Sequence, residues 1–187
     1  MAIGLRAHSG WAAAVALEET GDLPAVIGRR RIELADAAIP GAKQPYHAAE
    51  PLPFAEAEEF LNRSVASSRQ MAREGLASLV RELGPCELAG CGVLLGSGRA
   101  LPALANVLAS HALIHAAEGE MYRDVLVHSA GQIGLRVTGI REKEILERAS
   151  PLAARLTELG KAIGPPWTQD QKLATLAAWI ALKAASR

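Results

Sequence analysis

Ala2-Ile3-Gly4-Leu5-Arg6-Ala7-His8-Ser9-Gly10-Trp11-Ala12-Ala13-Ala14-Val15-Ala16-Leu17 is the stretch that decides the fold. Ala2 to Ala7 reads as a short strand and Trp11 to Leu17 as a second, with Ser9-Gly10 as the turn between them. The polar stretch Glu18 to Asp22 makes the next turn, and a third strand follows near Ala25 to Leu34. Three strands joined by short polar turns predict an antiparallel meander.

Outward from that meander the pattern changes period. Pro40 to Pro53, which contains Tyr46 and His47, reads as a loop. From Phe54 to Leu83 the residues Leu61, Val65, Ala72, Leu76, Leu79 and Leu83 recur at helical spacing, and Gly84-Pro85 ends the helix. Leu88 to Leu95 is an unbroken apolar run, as expected of a central strand buried on both faces in a parallel pairing. A turn, Gly96-Ser97-Gly98-Arg99, leads into helix from Leu101 to about Gln132, with a break near Ala109-Ser110. Leu135 to Ile140 reads as a strand and Pro151 to Ile163 as a helix, and Gly164-Pro165-Pro166 is a rigid break. Thr168 and Gln171 form a capping box for a last helix that runs to the C-terminus. Its apolar face is Leu173, Leu176, Ala177, Ile180 and Ala184. The predicted order is β-β-β-α-β-α-β-α: one α/β domain over residues 1–187, a five-stranded mixed sheet with helices packed on it.

Bulk composition narrows the function classes. The 187 residues are 50% hydrophobic and only 4% aromatic, so the core is built from Ala, Leu, Val and Ile. Basic and acidic residues each total 20, giving a formal charge of zero. A nonspecific nucleic-acid binder draws its affinity from phosphate contacts and carries a basic excess, which this chain lacks. Arg29-Arg30-Arg31 is the one basic run; in a strand, such charges discourage edge-to-edge pairing. Cys86 and Cys91 lack a zinc-site spacing and read as small core residues. No signal-peptide run and no stretch of about 18 apolar residues is present, so a cytoplasmic location away from membranes is expected. Trp11, Trp167 and Trp179 read as core or cover residues, not as a base-stacking ladder.

The element order, with the row Ile3-Gly4-Leu5-Arg6-Ala7-His8-Ser9-Gly10-Trp11 and the helix Asp170-Gln171-Lys172-Leu173-Ala174-Thr175-Leu176-Ala177-Ala178, resembles the ribonuclease H-like superfamily, in detail its Holliday-junction resolvase branch. The stretch Ser110 to Arg123 also resembles one typical of an uncharacterised bacterial family, which implies no particular activity. The superfamily resemblance implies a two-metal nuclease site with a first-strand Asp, an acid near the end of the fourth strand, and an Asp early in the last helix. Here the first of these positions is Arg6, and the fourth strand ends in Leu94-Leu95-Gly96-Ser97. Only Asp170 matches, and an acid in a first helical turn also has a plain role in complementing the helix dipole. The expectation is a non-nuclease binding or scaffold protein with no assigned cofactor. Its partner is a small molecule or a nucleic acid, and a homo-oligomer is left open. The alternative is a hydrolase with a relocated site.

That relocated site would use His111, His115 and Glu118, which with Tyr122 share one helical stripe, together with His8 and Asp170 as catalytic groups. Ser9, His47, Ser97, Arg99 and Arg123 are the candidate ligand-binding residues. Histidines at i, i+4 with a carboxylate admit three readings: a transition-metal site, a general acid/base pair, or a hydrogen-bonded network bracing the helix. Without the H-E-x-x-H glutamate no residue is assigned as a metal ligand. Gly96-Ser97-Gly98-Arg99 could offer backbone N–H groups to an anion or nucleotide, or be a simple turn.

Overall fold

The computed structural model describes residues 1–21 and 23–185. Asp22 of the predicted polar turn, and Ser186 and Arg187 at the end of the predicted last helix, lie outside the described residues. Strands β1 (Ala2–His8), β2 (Trp11–Glu18) and β3 (Ala25–Glu33) form the predicted meander. Its register sets Ala2 against Leu17 and His8 against Trp11. Gly10 closes the first turn at φ +81°, where the absence of a Cβ removes the steric cost.

After the meander come α1 (Pro45–Ala49), α2 (Phe54–Glu82), β4 (Gly90–Leu95), α3 (Leu104–Leu108), α4 (His111–Gln132) and β5 (Val137–Arg141). A 3-10 turn over Glu142–Glu144 leads to α5 (Ile145–Arg148), α6 (Ser150–Ala153), α7 (Leu156–Ile163) and α8 (Gln169–Ala185). The sheet order is β3-β2-β1-β4-β5, with β4 and β5 parallel to β1. The five-stranded mixed sheet is therefore as predicted, and so is the helix break at Ala109-Ser110. The capping box forms as well: Thr168 N–H donates to Gln171 Oε1 at 3.2 Å, and Gln171 N–H to Thr168 Oγ1 at 3.3 Å.

Two segments differ from the sequence reading. Pro40 to Pro53 is not loop throughout, because Pro45 starts a helical turn with its φ already set, and this becomes α1. The segment Pro151 to Ile163 is not one helix. Pro151 starts a new turn after α5, and a break at Ala154-Arg155 separates α6 from α7. Through that break Leu152 and Leu159 both reach the core beneath α8.

Strand alternation assigns each face its neighbours. Ile3 and Leu5 point to the face covered by α2 and α4, where Leu76, Leu79, Tyr122, Val125 and Leu126 are buried. Ala7 packs on that same face, and the alternate residues Ala2, Gly4, Arg6 and His8 point toward α8. The fit there is close: a Cβ on Gly4 would sit 1.8 Å from the Ala174 carbonyl oxygen, and one on Gly92 2.1 Å from that of Ala177. β3 is an edge strand, and its arginines are all engaged. Arg29 donates to the Gly164 carbonyl at 3.0 Å, Arg30 pairs with Glu82, and Arg31 pairs with Glu33 while lying 4.2 Å over the Trp11 ring. Such anchored charge suits the edge-blocking role. No helix among the described residues is long and apolar enough to cross a membrane.

Candidate functional site

β1 and β4 end side by side at the carboxyl edge of the sheet, the edge where open α/β sheets place their ligands. Polar clusters stand there on both faces.

On the α8 face Arg6 is the hub. Its Nε donates to Asp170 Oδ1 at 2.9 Å and its Nη1 to Glu142 Oε1 at 2.7 Å. His8 Nε2 meets the same Asp170 Oδ1 at 2.8 Å. His8 is in turn stacked on Trp11, with ring centroids 4.4 Å apart and planes at 6°. β1 presents Arg6 and His8 on this face two residues apart, and the capping box places Asp170 in the first turn of α8 opposite them. Side-chain exposures of 20% for Arg6 and 24% for Asp170 put the junction at the rim of the core. One carboxylate oxygen thus serves two cationic or N–H donors, while Glu142 neutralises the far side of the guanidinium. Sequence reading missed Glu142; its one signal was an acid directly after the fifth strand.

On the α4 face the histidines gather. His111 and His115 lie one turn apart, exposed, with Nε2 to Nε2 3.0 Å. His47 comes from α1, and its ring centroid lies 5.2 Å from that of His111 and 4.6 Å from that of His115. Glu118 is buried at 2% exposure, and its Oε1 accepts from His47 Nδ1 at 2.9 Å and from the His47 backbone N–H at 3.2 Å. Tyr122, 1% exposed, donates its hydroxyl to the Ala42 carbonyl at 2.5 Å, which ties the segment before α1 to α4 and so holds His47 in place. Burial first, then the negative charge of Glu118, pushes Tyr122 well above the usual tyrosine value. Burial, with Asp124 and Glu118, also raises Tyr46.

Arg123 Nη1 pairs with Glu120 at 3.3 Å beneath Gly96. Ser97 and Arg99 are exposed and line a cleft of about 680 Å³ with Leu101, Leu113 and Glu120. Ser97 Oγ accepts from the Arg99 backbone N–H at 3.3 Å, and Gly98 has φ +70°. The Gly96–Arg99 segment is thus a glycine turn with one local bond. Ser9 is exposed at the β1–β2 turn.

The sequence-derived site residues do not converge on one centre. His47 joins His111, His115 and Glu118, but His8 and Asp170 lie across the sheet with Arg6. The alternation of β1 decides this, because the residues that carry the junction face α8 and not α4. The proposed stripe is also divided by depth, with Glu118 and Tyr122 buried and both histidines exposed.

Sheet order, crossovers and helix placement define a ribonuclease H-like fold. Among solved structures the chain is similar to RuvC of Thermus thermophilus (TM-score 0.54) and to T. thermophilus RuvC in complex with Holliday junction substrate (TM-score 0.58). Both share 9% sequence identity with it; each alignment covers 99% of this chain, and 95% and 94% of the respective RuvC chains. No family model matches the sequence, and neither does any curated protein.

Proposed function

We propose that this chain is a ribonuclease H-like binding protein that does not perform two-metal phosphodiester cleavage. The observation that carries the reading is the Arg6 junction. Arg6 stands in the strand position where the resemblance implies a metal-binding carboxylate, and its guanidinium bonds to Asp170, the one acid that matches the pattern. Magnesium needs several oxygen ligands in near-octahedral array. A fixed guanidinium about 4 Å from a divalent ion opposes binding by several kcal/mol at a near-surface dielectric. Asp170 Oδ1 already accepts from Arg6 and His8, so a metal at that oxygen would have to displace both.

The test is an incubation of the purified chain with Holliday-junction, single-stranded and duplex DNA and an RNA–DNA hybrid, with magnesium or manganese. No cleavage is expected. Metal-dependent cleavage that disappears in Asp170→Asn would refute the reading. A second reading, a hydrolase whose site has moved to the α4 face, is favoured by the gathering of His47, His111, His115 and Glu118. Turnover of model phosphoesters that is lost in His115→Ala and kept in Asp170→Asn would select it.

A further inference from the structure

We propose that His47, His111 and His115 form a mononuclear site for a zinc-class transition-metal ion, with Glu118 holding His47 from behind. The ligand nitrogens of the three histidines lie within 4.8 Å of one another. Tetrahedral zinc with Zn–N bonds of about 2.0–2.1 Å sets its ligand nitrogens about 3.3 Å apart. The His111–His115 separation of 3.0 Å is already close to that value. Completing the site asks the nitrogens to close by up to about 1.5 Å, shared among three side chains, which the broad terminal torsion of a histidine side chain supplies.

The outer contacts fit the same assignment. Glu118 engages His47 Nδ1, so this nitrogen carries the proton and Nε2 keeps its lone pair for the ion. A carboxylate behind a ligating imidazole fixes its tautomer and orientation and raises its basicity. A purely bracing role accounts for His47, which links α1 to α4. His111 and His115 add only edge-on ring contacts to His47, and their hydrogen bond is to each other on one helix, so bracing alone leaves the pairing of their nitrogens unexplained. Three imidazoles and no thiolate select zinc, cobalt, nickel or copper over magnesium or calcium. Exposure of two of the three leaves the remaining coordination position facing solvent, open to water or an exogenous anion.

The inference does not rest on the Arg6 junction, which lies on the other face of the sheet. The experiment takes the untagged full chain, stripped with chelator, and titrates it with Zn²⁺, Co²⁺ and Mg²⁺ by calorimetry, with visible spectroscopy of the cobalt form. One equivalent of zinc or cobalt binds, cobalt shows the intense d–d bands of a tetrahedral site, and magnesium does not bind. His111→Ala and His115→Ala, both on exposed side chains that leave the fold intact by circular dichroism, each weaken zinc at least tenfold. Glu118→Gln weakens it by roughly 10–100-fold. His128→Ala, on an exposed residue of α4 outside the cluster, leaves it unchanged. Zinc affinity that survives the His111→Ala/His115→Ala double variant, or zinc that binds no tighter than magnesium, overturns the proposal and leaves the non-nuclease reading standing. Magnesium-dependent cleavage would do the reverse.

Discussion

Replacing Gly4 by alanine tests whether α8 really rests on the backbone of β1. The new Cβ would lie 1.8 Å from the Ala174 carbonyl oxygen and 2.6 Å from the Ala178 nitrogen, both backbone atoms. Ordinary contact begins at 3.4 Å, so α8 must retreat by up to 1.6 Å at that point. Leu173, Leu176, Ile180 and Leu182 would then lose contact with the sheet and the helices beside it. A gap of 0.5–1 Å forfeits a quarter to a half of each atom pair's attraction; loosening about 15 of the roughly 40–60 contacts of each of these four side chains by about 0.05 kcal/mol gives about 3 kcal/mol. Overpacking substitutions cost about 1–3 kcal/mol, so the figure lies at the upper end of that range. For a chain of this length each kcal/mol lowers Tm by about 2–4 °C, which makes the expected drop about 6–12 °C. Urea denaturation and thermal melts followed by circular dichroism read both quantities. Gly131→Ala is the companion measurement. A Cβ there meets nothing within 4 Å, and the change gains about 0.5 kcal/mol by lowering the entropy of the unfolded chain. The Gly4→Ala/Gly92→Ala pair costs less than the sum of its parts, because one retreat of α8 relieves both clashes. A Gly4→Ala variant within 0.5 kcal/mol of the parent would refute the close approach, and with it the placement of Asp170 one helical turn before Ala174.

Three further outcomes are expected. Tyr122 is held neutral above the usual value of 10.0, so above that pH the unfolded chain releases a proton that the folded chain keeps. Its contribution is complete below pH 10 and falls as pH rises further, by up to about 1.4 kcal/mol per unit; urea melts at pH 9, 10 and 11 will show a shallower decline in Tyr122→Phe, and equal slopes would count against it. Burial pushes the Cys91 thiol up to about 12, so a thiol reagent at pH 8 titrates Cys86 alone in the folded protein and both cysteines in denaturant, whereas two fast equivalents would contradict the packing of β4. Arg6→Asp sets a new carboxylate beside Asp170 and Glu142; magnesium or manganese raises the Tm of that variant and not of the parent, and no shift in the variant would separate this junction from a metal-binding position.

Much of the fold was legible because its signals are local and repeated. The meander follows from three short strands joined by the polar turns at Ser9-Gly10 and Glu18 to Asp22, β4 from an unbroken apolar run, and α2 and α4 from helical spacing. The capping box of α8 lies within four residues, and it appears in the structure as read. Shorter segments were not legible. α1 is a single turn whose stability comes from packing Tyr46 and Ala49 against its neighbours, and α5 to α7 are defined by how Leu152 and Leu159 reach the core. Neither has a period long enough to show in a window of sequence.

By itself the sequence determined the kind of fold, the absence of a carboxylate at position 6, and the spacing of His111, His115 and Glu118 on one helix. Each of these is a property of residues near one another in the chain. Which side chains meet across the chain was decided only by the tertiary structure. β1 alternates its side chains between two faces, and this sends Arg6 and His8 to Asp170 while His47, Glu118 and the histidine pair assemble on the opposite face. Depth was decided there too, since a helical stripe shows which residues align but not how far each lies beneath the neighbouring α1 and its preceding loop. A single polar region read along the chain is therefore two separate sites in the folded protein: an ion-pair junction and a cluster of imidazoles.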